Sequence, residues 1–182
     1  LPAIHSYVES DNAFWAQDNP ILNLFSDEQL SLLRGGGNAK WVFRSLVRNQ
    51  TGKDHELREY IDDCTNDWFE MSDLLKKIDS NFIENQDEEW LHQFYEYLSI
   101  NNSYWTDVKT KPIFLNTIGK AVPAFEQIGR DLHEILFLPS ENLNDGGKTI
   151  NPALLNREVT REFIANFGIK RPSLKDEIYN HI

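Results

Sequence analysis

Seven side chains recur at alternating steps of four and three residues along residues 57–78. They are Leu57, Ile61, Cys64, Trp68, Met71, Leu75 and Ile78. This period places all seven on one face of a single α-helix, which would be roughly 33 Å long at the usual rise per residue. Tyr60, Phe69 and Leu74 widen the face. The widened face favours packing inside a helical domain over a two-stranded coiled coil, with Trp68 as the central core anchor.

Local cap signals predict two helices before this segment. Ser26 with Gln29 has capping-box spacing, so a helix is expected to begin there and to end at the glycine run of residues 34–37. A second helix is expected over residues 38–50, with Trp41 among its inward-facing side chains.

Similar signals predict helices in the second half of the chain. Asp87 is expected to cap a helix that carries five large apolar residues at helical spacing. They are Trp90, Leu91, Phe94, Tyr95 and Leu98. Asn151, followed by Pro152, opens a helix that Gly168 ends. A last helix is expected from Ser173, whereas residues 1–25 leave short helices and irregular structure equally open.

The apolar pattern changes from helical to extended in the region of residue 112. Residues 112–115 form a short apolar run, residues 116–119 have the composition of a turn, and residues 120–122 resume an extended pattern. This order predicts a β-hairpin, with Gly119 at a positive φ in its turn. The run at residues 135–138 is expected to add a third strand.

Together these signals predict a mainly α (α+β) fold. It is a helical domain with a small antiparallel β-hairpin or three-stranded element near residues 112–139. We divide the chain into a helical region (1–100), a small β-element with loops (101–150) and C-terminal helices (151–182). The alternative that all three form one domain stays open.

Composition excludes several classes of function. The formal net charge is −11, so nucleic acid and anionic membrane are unfavourable partners. The single cysteine, Cys64, forms neither an internal disulfide nor a cysteine zinc cluster, which fits the reducing cytoplasm. No apolar run approaches the length of a membrane span. The chain begins at Leu1 and ends at Ile182 within a helical pattern, so we expect a fragment of a larger protein.

Two glycine-containing loops resemble phosphate-binding loops in composition. Residues 35–40 precede a predicted helix, and residues 145–148 follow a predicted strand. Neither contains the Gly-Lys-Ser/Thr fingerprint, so we interpret the first as a connector and the second as a surface turn. The chain is therefore expected to bind no cofactor.

The residues that commonly carry catalysis or bind metals are scattered. The histidines are His5, His55, His92, His133 and His181, and none belongs to a close ligand cluster. Cys64 lies in the apolar stripe beside Asp62 and Asp63, which disfavours a reactive thiolate. The sequence thus predicts no catalytic, cofactor-binding or metal-binding residue and no enzyme activity.

Aromatic residues are concentrated in one stretch. They are Trp90, Phe94, Tyr95, Tyr97, Tyr104 and Trp105. At helical spacing such a set is typical of a core, although it also suits a stacked ligand or a domain–domain interface.

A series of motifs follows in a fixed order over residues 85–182. They are Glu89-Trp90-Leu91, Lys111-Pro112-Ile113-Phe114-Leu115, Gly119-Lys120-Ala121-Val122-Pro123, Leu136-Phe137-Leu138-Pro139-Ser140, Thr149-Ile150-Asn151, Arg161-Glu162-Phe163-Ile164, Phe167-Gly168-Ile169 and Asp176-Glu177-Ile178. This series resembles the region downstream of the nucleotide-binding domain in large sacsin-like proteins. Those proteins carry a histidine-kinase-like ATPase domain, related to that of the ninety-kilodalton heat-shock chaperone.

The resemblance implies a non-catalytic middle segment of an ATP-dependent, chaperone-like protein. Such a segment would couple neighbouring domains of the same chain or bind a client or partner protein. The Asp-x-Gly-x-Gly loop of that ATPase type is absent, so ATP and magnesium are expected to bind the parent protein outside this segment. The alternatives are an independent helical adaptor module for protein–protein interaction and an enzyme fragment with an unrecognised site.

Overall fold

A computed structural model describes residues 3, 7–16, 19–42, 53–65, 67–140 and 146–173. The chain forms two compact units, Leu1–Lys77 and Ile78–Ile182. The predicted division into regions 1–100, 101–150 and 151–182 stays a prediction about which parts fold separately.

The described part of the first unit combines short helices with a small parallel sheet. The helices are α1 (Asn19–Leu24), α2 (Asp27–Leu33), α3 (Lys53–Cys64) and α4 (Met71–Lys77). The strands are β1 (Ala13–Ala16), β2 (Lys40–Trp41) and β3 (Asp67–Phe69). Strand β1 lies between β2 and β3 and runs parallel to both, so that Phe14 is paired with Trp41 on one side and Asp67 on the other.

The capping box predicted before α2 is confirmed. Ser26 Oγ accepts the Gln29 N–H, and Gln29 Oε1 accepts the Ser26 N–H at 2.8 Å. After the turn at residues 34–37 the chain becomes extended in β2. Trp41 Nε1 donates to the Phe25 carbonyl at 2.7 Å, and the Trp41 N–H donates to Asp27 Oδ1 at 2.9 Å. These bonds fix β2 beside α2.

The predicted helix over residues 38–50 is wrong at its start, because Lys40–Trp41 is strand β2. Trp41 and Val42 are buried, as expected, but by sheet pairing instead of a helical face. Residues 43–50 lie outside the described residues. No local pattern indicates this sheet, because its strands are short and their parallel partners come from distant segments.

The single helix predicted over residues 57–78 is also wrong. Helix α3 ends at Cys64, and the chain continues through β3 before α4 begins at Met71. Thr65 and Asp67 are weak helix formers, whereas Trp68 and Phe69 favour a strand, so tertiary pairing with β1 overrides the helical period.

The apolar residues that were predicted to share one helix face over residues 57–78 differ in burial. Ile61, Met71 and Leu75 are buried, but Leu57 is 40 % exposed and Tyr60 is 62 % exposed. The Trp68 side chain lies outside the described residues, so its place as a core anchor stays a prediction, although the helix on which that prediction rested does not exist.

The second unit contains helices and two antiparallel hairpins. The helices are α5 (Ser80–Glu84), α6 (Glu88–Ile100), α7 (Trp105–Val108) and α8 (Glu158–Phe167). The strands are β4 (Phe114–Leu115), β5 (Ala121–Val122), β6 (Phe125–Ile128) and β7 (Asp131–Glu134). Short 3-10 helices at Asn102–Tyr104 and Pro152–Leu155 complete the unit, as another does at Ser10–Asn12 in the first.

The predicted helix after Asp87 is confirmed as α6. Asp87 Oδ1 accepts the Trp90 N–H at 2.7 Å, and the five predicted apolar side chains are buried. The helix predicted from Asn151 is divided: Asn151 caps the 3-10 helix Pro152–Leu155, and α8 begins only at Glu158 and ends at Gly168. The helix predicted from Ser173 lies beyond the described residues.

The hairpin predicted at residues 112–123 is confirmed as β4–β5, with Gly119 at φ +74°. The third strand predicted at residues 135–138 does not form. Instead, residues 125–134 form a separate hairpin, β6–β7, and Phe137 makes an isolated bridge to Thr149. The fold class is confirmed as mainly α (α+β) with small sheets.

An aromatic cluster forms the core of the second unit. Tyr95 on α6 stacks on Phe114 of β4 at 5.3 Å and on Phe163 of α8 at 5.7 Å, measured between ring centroids. The Tyr95 hydroxyl donates to the Ile113 carbonyl at 2.6 Å. Phe167 packs edge-on against Phe114 at 5.4 Å. The cluster thereby holds β4 against α6 and α8.

Candidate functional site

The two hairpins of the second unit differ in how their outer edges are covered. On β5, the outward N–H of Ala121 donates to Glu84 Oε1 at 3.1 Å, and Lys120 Nζ lies 3.0 Å from Glu84 Oε2. These two hydrogen bonds lower the pKa of the Glu84 carboxyl, the bond from Lys120 contributing more. A carboxylate on α5 therefore covers the edge of β5.

The opposite edge, on β4, is covered by backbone. The Asn151 N–H donates to the Leu115 carbonyl, and the Thr117 N–H donates to the Thr149 carbonyl, both at 2.9 Å. The backbone of residues 149–151 therefore covers the outer edge of β4.

The turn of this hairpin is held by the buried side chain of Asn116. Its Oδ1 accepts the N–H groups of Lys120 at 2.8 Å and Ile118 at 3.2 Å. Its Nδ2 donates to the Gly147 carbonyl at 2.8 Å. Gly147 belongs to the loop at 145–148, so in the described residues 146–148 that loop is tied to the hairpin. Asp145 lies outside the described residues.

The second hairpin, β6–β7, is exposed on both faces. Every residue from 126 to 133 is exposed, including Ile128 at 57 % and Leu132 at 43 %. Within the described part of the chain, β6 and β7 pair only with each other. An isolated two-stranded hairpin is marginally stable in water, so this one depends on its attachment to the unit.

That attachment lies at the base of the hairpin. The buried ring of Phe125 packs on Phe167 with centroids 6.1 Å apart, and Lys109 Nζ lies 5.5 Å from the Phe125 ring centroid. On β7, Glu134 Oε1 lies 3.1 Å from Lys170 Nζ. These contacts anchor the hairpin at its base, and residues 126–133 remain exposed to solvent.

The turn fixes which backbone groups point outward. Gly129 has φ +65° and Arg130 does not have a positive φ, which is the pattern of a two-residue type II′ turn. Ile128 and Asp131 flank that turn and exchange both backbone bonds, and bonded pairs then alternate along the ladder. The bond from Ile135 N–H to the Ala124 carbonyl, at 3.0 Å, continues this alternation.

Gln127 and Leu132 consequently lie between bonded pairs, opposite each other. The N–H and C=O of Gln127 point away from β7, and those of Leu132 point away from β6. The hairpin therefore presents hydrogen-bonding backbone on both long edges, the feature that most often attracts another strand.

The sequence analysis assigned no element to residues 124–134. The signal for this hairpin was Gly129 at the first central position of a two-residue loop, between runs that contain Ile128 and Leu132. The apolar run at 135–138 was a stronger strand pattern, yet it packs beside Thr149 and Lys170 without forming a strand.

The predicted aromatic patch is divided by the fold. Trp90, Phe94 and Tyr95 are buried in the core, with Trp90 stacked on Phe94 at 5.0 Å. Tyr97 and Tyr104 are half-buried and stack on each other at 6.3 Å. Trp105 is half-buried, and its Nε1 donates to the Leu98 carbonyl. The set is core and its margin, which supports the core interpretation.

The loop at residues 35–40 borders a cavity of about 510 Å³ in the first unit. Asp27, Glu28 and Ser31 of α2 line the same cavity, together with Lys40 at the end of the loop. Ser31 Oγ donates to the Ala39 carbonyl at 3.1 Å, which ties the loop to α2. Two acidic residues and one lysine give the lining a net negative charge, which disfavours a phosphate group.

The described histidines lie apart from one another. His92 is buried between α6 and α8, with Nδ1 2.7 Å from Thr160 Oγ1 and Nε2 3.4 Å from Glu88 Oε1. His55 is exposed on α3, and His133 is exposed on β7. His5 and His181 lie outside the described residues. Cys64, the last residue of α3, is half-buried.

Two further properties concern the described residues alone. Among them, no group of three or more His, Cys, Asp and Glu side chains is placed to hold a metal ion. None of their helices is long and apolar enough to cross a membrane.

No protein-family model, curated protein or solved structure matches this chain.

Proposed function

We propose that this chain is a non-catalytic segment of a sacsin-like, ATP-dependent protein, and that it contacts a neighbouring domain or a partner protein through hairpin β6–β7. The observation that carries the second part is the exposure of that hairpin on both faces and along both edges. A hairpin with this exposure contributes little to the stability of its own unit. Contact with another domain or protein would therefore account for its presence.

The first part rests on the sequence motifs shared with sacsin-like proteins. Several of them occupy well-packed elements of the second unit: residues 111–115 and 119–123 contain the strands of hairpin β4–β5, and Arg161, Phe163 and Ile164 belong to α8. A set of motifs that builds a core is suited to a structural segment. The proposal places the protein in the cytoplasm, where the single Cys64 stays reduced.

Site-specific photo-crosslinking in the full-length protein tests the contact. A crosslinking amino acid replaces Ile128 or Leu132 in the hairpin. Ile100, which is 76 % exposed at the end of α6, is the matched control. We expect crosslinks to another domain or protein from the hairpin positions and none from position 100. Equal yields at all three positions would contradict the proposed contact.

Calorimetry with ATP and magnesium tests the non-catalytic role. We expect no saturable binding by the 182-residue chain at micromolar nucleotide, since neither glycine loop has a phosphate-binding fingerprint. Saturable binding would contradict this role and would direct attention to the cavity beside residues 35–40.

The runner-up is an independent adaptor module that uses the same hairpin. The flanking coding sequence separates the two proposals. An upstream domain with an Asp-x-Gly-x-Gly loop would support the sacsin-like segment, whereas start and stop codons at the two ends of this chain would favour the adaptor.

A further inference from the structure

We infer that the outer edge of β7 binds an extended segment of a partner protein, with basic side chains opposite Asp131 and Glu134 and an apolar one opposite Leu132. This inference rests on the proposed role of the hairpin as a contact element and specifies the partner's chemistry. The added segment would become a third strand of the sheet, paired by main-chain hydrogen bonds and selected by its side chains.

The backbone of β7 provides the pairing positions. Leu132 presents an outward N–H and C=O, and Glu134, two residues further along, presents the next outward pair. An antiparallel strand would therefore exchange two bonds with Leu132 and continue them at Glu134. On β5 the equivalent outward N–H, that of Ala121, is already bonded to Glu84.

Charge distinguishes the edge of β7 from that of β6. Strand β7 carries two carboxylates, Asp131 and Glu134, and the cation at its base, Lys170, is paired with Glu134. Strand β6 carries one carboxylate, Glu126, and the Lys109 ammonium lies over the Phe125 ring at its base. A basic segment is therefore better accommodated along β7.

The alternation of side chains along β7 predicts a sequence pattern for the partner segment. Asp131 and His133 lie on one face of the hairpin, and Leu132 and Glu134 lie on the other. A strand antiparallel to β7 meets Glu134 first and Asp131 last. From its amino end it would read basic, any residue, apolar, basic.

The probe is the acetylated and amidated hexapeptide Thr-Lys-Thr-Val-Lys-Thr, with Thr-Glu-Thr-Val-Glu-Thr as the matched control. Amide shifts of the 182-residue chain are followed by NMR as peptide is added. We expect saturable shifts centred on Leu132 and Glu134 with the lysine peptide. The glutamate peptide should bind about fivefold more weakly or worse, because two attractive cross-strand pairs become repulsive.

Two proline variants determine which strand of the hairpin pairs with the peptide. Leu132→Pro removes an outward N–H on β7, and Gln127→Pro removes the corresponding N–H on β6; neither removes a bond between the two strands. Binding should be lost in Leu132→Pro and kept in Gln127→Pro. His133→Pro removes a bond between the two strands and is the control for a disrupted hairpin. The NMR spectrum of Leu132→Pro is compared with that of His133→Pro, to show that the hairpin is still formed in Leu132→Pro.

Each other outcome overturns the inference. Loss of binding in Gln127→Pro alone would assign the edge to β6, and equal affinity for the two peptides would remove the charge preference. Concentration-dependent shifts of the same amides without peptide would identify a second copy of this chain as the occupant. If neither peptide binds while Ile128 and Leu132 still crosslink in the full-length protein, strand addition is wrong and the proposed contact function stands.

Discussion

The two hairpins of the second unit share a topology and differ in almost everything that stabilises them. Hairpin β4–β5 has a buried Phe114, an Asn116 side chain that holds its turn, and partners on both outer edges. Hairpin β6–β7 has twice the strand length but is anchored only at its base. The difference shows that the first hairpin is part of the core of its unit, whereas the second is held only at one end, which is the feature on which the proposed contact rests.

The largest expected effect comes from the aromatic core of the covered hairpin. Phe114→Ala removes a fully buried ring that packs on Tyr95 and Phe167, so the free energy of unfolding should fall by about 3–5 kcal/mol. Urea denaturation followed by tryptophan fluorescence measures this. A loss below about 1 kcal/mol would mean that β4 is not part of the core.

A smaller loss is expected when the turn of the covered hairpin is disturbed. Asn116→Ala removes three hydrogen bonds and leaves the buried Gly147 carbonyl without its donor, which should cost about 1–3 kcal/mol. Hydrogen exchange at the Lys120 amide should accelerate. Ile118→Ala, in the same turn but exposed, is the control and should leave both quantities nearly unchanged.

The ion pair at the edge of β5 should have a small, pH-dependent effect. Its hydrogen bonds lower the pKa of Glu84 in the folded state, so its contribution to stability is present above the ordinary pKa of 4.5 and is lost as the pH falls through the lowered value. Glu84→Gln should unfold slightly more easily than the wild type at pH 7, and the two midpoints should converge in acid.

A double-mutant cycle provides the control for that pair. Lys120→Met removes the same interaction, so combining it with Glu84→Gln should cost less than the sum of the single changes. Additive effects, or a difference between Glu84→Gln and the wild type that does not depend on pH, would show that the pair is not formed in solution.

The smallest effect on stability is expected in the open hairpin, β6–β7. Ile128→Ala and Leu132→Ala each truncate an exposed side chain, so each should change the free energy of unfolding by less than about 0.5 kcal/mol. The same urea experiment applies. A loss of several kcal/mol from either change would show that the hairpin is packed within its own unit, and the contrast with β4–β5 would disappear.

The parts of the fold that could be predicted from the sequence are those specified by neighbouring residues. Ser26 with Gln29 and Asp87 with Trp90 are hydrogen-bonded pairs three residues apart, so they mark the starts of α2 and α6 directly. The turn at Gly119 is equally local. No information from elsewhere in the chain is needed for these elements.

The errors occurred where distant segments decide the local structure. The spacing from Leu57 to Ile78 suits a helix, but residues 67–69 form strand β3, which pairs with β1. No local sequence pattern indicates this pairing. The open hairpin was missed for a related reason: its exposed faces lack the alternation of buried and exposed residues by which strands are usually recognised. A strand without a buried face has no apolar pattern in its own sequence, so only the turn residues indicate it.

The buried hydroxyl of Tyr95 has an optical consequence. Burial raises the pKa of this phenol far above its ordinary value of 10, so the hydroxyl stays neutral in the folded protein at mildly alkaline pH. An unfolded chain would ionise it near pH 10, and alkali therefore favours unfolding. The ultraviolet absorbance of tyrosinate should then appear in two stages, and the later stage would report directly on the opening of the aromatic cluster.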